Sequence, residues 1–100
     1  MIPLTREGAL QSIEAEVRKE RASALGRVGG ILEALIDEAE ALKTRWAAAP
    51  ERERPALEAA FTQVVERART YRWYLEVQRE AMGLHQHQEV ERQYPIPRLR

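Results

Sequence analysis

Apolar residues recur along the first half of the chain at helical steps of three or four. Leu10, Ile13 and Val17 start the stripe, and Ala24, Val28, Ile31, Leu35, Ala39, Leu42 and Trp46 continue it. The one gap is the segment from Arg18 to Arg21, where Arg21 takes the place of an apolar residue. Thr5 is a good N-cap, Glu7 falls in the positive first turn, and Leu4 is placed as a staple. The pattern predicts a first helix over about residues 5–47. Pro50 and Pro55 predict a turn over about 48–54, since proline suits a first helical turn and not an interior.

A second stripe, Leu57, Phe61, Val64, Ala68, Tyr71, Leu75 and Met82, predicts a helix over about 55–92. Beyond Met82 it weakens to Gln86, Glu89 and Gln93. Pro95 and Pro97 then impose an extended tail. The expected fold is an all-α antiparallel hairpin domain over residues 1–92, with a tail over 93–100. Each helix would run about 60 Å, and facing residues would have numbers summing to about 101. Gly26 to Gly30 then lie level with Tyr71 to Leu75, Glu33 with Arg67 and Arg69, and Ile2 and Leu4 with Tyr94 and Ile96. A single seam is marginal, so pairing of two hairpins into a four-helix bundle is expected.

The glycines of "SALGRVGGILEAL" sharpen that expectation, because each costs a helix about 1 kcal/mol relative to alanine. At about 100° per residue, the main stripe of the first helix centres near 270°. Ala22, Gly26, Gly30 and Ala34 fall on the back, flanked by Ser23, Gly29 and Ala41. On the second helix Trp73, Val77 and Leu84 also lie opposite the main stripe. A flat line of small residues and a set of apolar knobs at one level suggest a two-fold homodimer in which each hairpin receives the other's Trp73. The alternatives are a break at Gly29-Gly30, giving a three-helix bundle, and a Trp73 lying flat on its own hairpin.

Composition changes this picture little. Sixteen basic and sixteen acidic residues cancel, so no blanket attraction to nucleic acid or membrane follows. Glu33, Asp37, Glu38 and Glu40 form an acidic run opposite the basic Arg67, Arg69 and Arg72. The absence of cysteine removes disulfides and thiol chemistry. No cleavable leader and no membrane-length apolar run is evident, so a cytoplasmic protein is expected.

Chemistry is thin. His85 and His87 diverge by about 200° on a helix and cannot share a metal; Glu89, one turn from His85, leaves a third ligand wanting. Met82 stands where a Glu-x-x-His di-iron motif would need glutamate. Arg79-x5-His85 resembles the loose Arg–His motif of HEPN-type ribonucleases. Arg67, Arg69 and Arg72 interleave with Tyr71 and Trp73, as on some nucleic-acid surfaces. The tail, Tyr94, Pro95, Ile96, Pro97, Arg98 and Leu99, suits a peptide that docks on a partner protein or caps its own hairpin. The plan is similar to small secreted hairpin proteins with a Trp-x-Gly turn. Trp46-Ala47-Ala48 lacks that glycine, so the likeness is architectural and carries no residue over. The expected function is a non-enzymatic, cofactor-free adaptor, complex subunit or chaperone.

Overall fold

A computed structural model describes residues 5–100; the expected contacts of Ile2 and Leu4 lie outside the described residues. Among the described residues the fold is all-α, without strands. Helix α1 spans Arg6–Ala48. Thr5 caps it, its Oγ1 accepting from the Gly8 N–H at 3.0 Å, a bond worth about 1 kcal/mol. The helix runs unbroken through Gly26, Gly29 and Gly30, so the break at Gly29-Gly30 does not occur. Ala49 and Pro50 leave the helix in extended conformation, and one 3₁₀ turn, Glu51–Glu53, leads into α2, Arg54–Ala81.

The second helix ends eleven residues earlier than the expected 92, at Ala81. Leu84 N–H bonds to Arg79 O and Gly83 N–H to Glu80 O, both at 2.9 Å, and Gly83 has φ +85°. This is a Schellman stop, which requires a left-handed residue that glycine supplies without strain. A short helix α3, Gln88–Gln93, follows, and after a bend at Tyr94 residues 95–100 carry no regular secondary structure.

The core lies between α1 and α2. Leu32, Leu35, Ala39 and Leu42 pack with Phe61, Val64, Val65, Ala68 and Leu75. Val90 of α3 is buried with them, and Tyr94, Ile96 and Leu99 pack against their edge. The C-terminal segment runs back along α2. Arg72 donates to Tyr94 O at 3.5 Å, Pro97 to Leu99 lie beside Phe61 and Val65, and Arg100 reaches Glu58 Oε1 at 3.6 Å. The C-terminal segment thus supplies a third layer over one groove, relieving the shortage of buried surface in a two-helix fold.

The molecule measures 72 × 27 × 16 Å. Its length comes from α1, because α2 stops level with about residue 20. The stripe over Leu10, Ile13 and Val17 therefore meets no α2 and stands exposed. Ile31 is also exposed, while Leu32, absent from the expected stripe, is fully buried. No described helix is long and apolar enough to cross a membrane.

Candidate interaction surface

The small residues keep their expected outward place, with one exception. Ala22, Gly26, Gly30 and Ala34 are exposed, and a Cβ added at Gly26 or Gly30 would meet nothing within 4 Å. Gly29 instead is buried: a Cβ there would stand 2.7 Å from the Tyr94 hydroxyl oxygen. That glycine makes room for the returning C-terminal segment.

Trp73 is 57 % exposed, and Val77 and Leu84 are exposed as well. Trp73 leans on Tyr74 with ring centroids 5.4 Å apart, and Tyr74 meets the half-buried Tyr71 edge-on at 5.7 Å. Leu84 lies beyond the end of α2, in the turn before α3, and does not extend the Trp73–Val77 line. The buried residues of α1 centre about 140° from Gly26 and about 180° from Gly30, and those of α2 about 140° from Trp73 and about 180° from Val77. The flat line and the knobs therefore stand at opposite edges of the molecule. One two-fold contact cannot seat both, because a self-complementary interface must hold its two halves on one continuous patch.

In the tail, Tyr94, Ile96, Pro97 and Leu99 are half-buried on their own helices, and Pro95 and Arg98 are exposed. Of the two expectations for the tail, docking on a partner or capping the open end, the structure shows neither as such: the segment covers a lateral groove of its own helices. Its far end is fastened at the α1–α2 connection. Trp46 Nε1 donates to Glu58 Oε1 at 3.1 Å, and the guanidinium groups of Arg54 and Arg100 lie 5.0 and 5.5 Å from the Trp46 ring centre. Such contacts are worth about 0.5–1 kcal/mol each where exposed.

The arginines do not form one surface. Arg67 lines a shallow hollow with Tyr71, Arg69 borders Pro97 to Leu99, and Arg72 is half-buried with its bond to Tyr94 O. No ion pair joins them to Glu33, Asp37, Glu38 or Glu40 among the described residues. Each block is therefore a solvated face, where ion pairs add little stability.

The chain turn places Arg79 and His85 on one open concavity with Gly83, Leu84, Gln86 and Glu89. Arg79 is already engaged there, its Nη2 donating to Gln86 O at 3.1 Å. His87 Nε2 and Glu80 Oε1 lie 2.8 Å apart, closing the same turn. Among the described residues no three His, Asp or Glu side chains gather as a metal site. Sequence reasoning missed the seat for Tyr94 at Gly29 and the stop at Gly83; the Met82-Gly83 pair, just where the apolar stripe weakens, was the signal for the second. Comparison with protein-family models, curated proteins and solved structures finds no match.

Proposed function

We propose that the chain is a non-enzymatic interaction protein: a helical hairpin, strapped by its own C-terminal segment, that acts as a homodimer and serves as an adaptor, small complex subunit or dedicated chaperone. The observation that supports this reading is the amount of apolar side chain left outside a core that is otherwise well covered. Leu10 and Ile13 are 58 % and 59 % exposed, and Trp73 nearly as much. Large apolar groups concentrated on an elongated body are the usual mark of a binding surface. The exposed Trp73 edge is suited to a second protein, whereas the apolar groups of the tail are occupied within the chain.

The test is the mass in solution by light scattering, with capture of partners from cells by the intact chain. A single-chain mass at all accessible concentrations would refute the homodimer. A nucleic-acid regulator acting through Arg67, Arg69 and Arg72 would instead show binding to generic DNA or RNA that weakens steeply with salt.

A further inference from the structure

The apolar stripe of α1 continues past the point where α2 leaves it. On the helical wheel Leu10, Ile13 and Val17 fall at about 220–280°, within the sector that holds Leu35 and Leu42 further along. They are thus a continuation of the α1–α2 seam from which the second helix has been withdrawn. The Schellman stop at Gly83 and the turn into α3 withdraw it. An arm of about 17 residues and 25 Å is left with one apolar side open.

We propose that two copies of this chain pair through this arm, Arg6 to Ala22, with the arms antiparallel about a two-fold axis. The proposal rests on the homodimer reading and names its surface. An arm from a second copy, running antiparallel to α1, travels in the direction that α2 would have taken and fills the sector α2 vacates, its first turn meeting the end of α2. Because both arms have the same length and the same open side, the contact is self-complementary, as a two-fold interface must be.

Charge selects the second copy as occupant and sets its direction. Arg6, Glu7, Glu14 and Glu16 give the first half of the arm a net −2 (one positive, three negative). Arg18, Lys19, Glu20 and Arg21 give the second half +2 (three positive, one negative). Antiparallel arms bring opposite signs together, whereas parallel arms would set like against like. Of the charged groups around the apolar stripe, Glu7, Glu14, Arg18 and Arg21 fall at about 300–360° on the same wheel. Arg6 at about 240° and Glu20 at about 200° lie toward the stripe's other edge, where the antiparallel arrangement again sets opposite signs near one another. A two-fold axis near Glu14 puts Glu7 of each copy level with Arg21 of the other. Glu14 meets its own symmetry mate there, with Arg18 of its own chain one turn away to offset it.

The experiment is light scattering and sedimentation on the full chain. Wild type is expected to be a dimer, and Ile13→Glu to raise its dissociation constant by at least about tenfold. Ile13 lies outside the core, so circular dichroism should report the Ile13→Glu variant still folded, with its unfolding transition retained. Glu7→Arg and Arg21→Glu should each weaken the dimer, and the two together should restore it, a recovery that a merely structural role would not produce. Trp73→Ala, on the far edge, should leave the dimer intact. If wild type dimerises and Ile13→Glu dimerises equally well, the arm assignment is wrong and the homodimer stands. If Trp73→Ala alone gives monomer, the copies meet at the α2 edge and the arm assignment is again overturned. A monomeric wild type removes both readings together.

Discussion

Three glycines within five residues of one helix should respond differently to the same substitution. Gly26 and Gly30 have helical backbones and open space where a Cβ would stand. Alanine at either position gains helix propensity and loses nothing, so each is expected to stabilise the fold by about 0.5–1 kcal/mol. At Gly29 the same gain is opposed, because the new Cβ would lie 2.7 Å from the Tyr94 hydroxyl and 3.6 Å from the ring carbon that bears it. Tyr94 packs against the edge of the core and its carbonyl accepts from Arg72 at 3.5 Å, so relief requires the ring to move off Gly29. Overpacking of this kind typically costs about 1–3 kcal/mol. Gly29→Ala should therefore come out between neutral and about 2 kcal/mol destabilising, after the propensity gain is subtracted. The assay is urea unfolding followed by circular dichroism, on Gly26→Ala, Gly29→Ala and Gly30→Ala, each alone and with Tyr94→Phe. Removing the hydroxyl leaves the 3.6 Å contact, an ordinary van der Waals distance, so Gly29→Ala should recover most of its gain in the Tyr94→Phe background. A Gly29→Ala variant as stable as Gly26→Ala in the wild-type background would refute the seating of Tyr94 at Gly29.

Other substitutions probe the remaining joints. Gly83→Ala places a side chain at φ +85° and is expected to destabilise by about 1 kcal/mol, read as a lower urea midpoint at unchanged slope. Leu32→Ala empties a fully buried site and should cost about 2–5 kcal/mol, whereas Leu99→Ala, half-buried near the end of the strap, should cost less than half as much. Thr5→Ala should fray the start of α1, raising amide exchange over its first turn, by about 1 kcal/mol locally. Generic DNA and RNA should show no salt-dependent binding at low ionic strength, because Arg67 lies on another side of α2 from Arg69 and Arg72, and Arg72 is engaged by Tyr94 O.

Much of the fold was legible in the residues. Helical periodicity, the Thr5 cap and the paired prolines place α1 and the start of α2 to within a residue or two, because each is a local matter of backbone bonding and sterics. The outward line of Gly26 and Gly30 follows from geometry at about 100° per residue and holds in three dimensions. Periodicity could not say which part of a stripe finds a partner. Leu10, Ile13 and Val17 recur at the same helical steps of three and four as Leu35, Ala39 and Leu42, yet the first three are exposed and the last three buried. The difference is the length of α2, set by a left-handed turn at Gly83. The role of the tail was equally a matter of packing. Its prolines make it extended, but where an extended strand lies depends on which groove offers apolar surface and a place for its aromatic ring. Gly29, one residue from the outward Gly30, provides that place. The sequence by itself determined the helices and their faces, since those are short-range properties of the chain. Only the tertiary structure decided which faces are covered, because burial depends on residues far apart in sequence arriving at the same level.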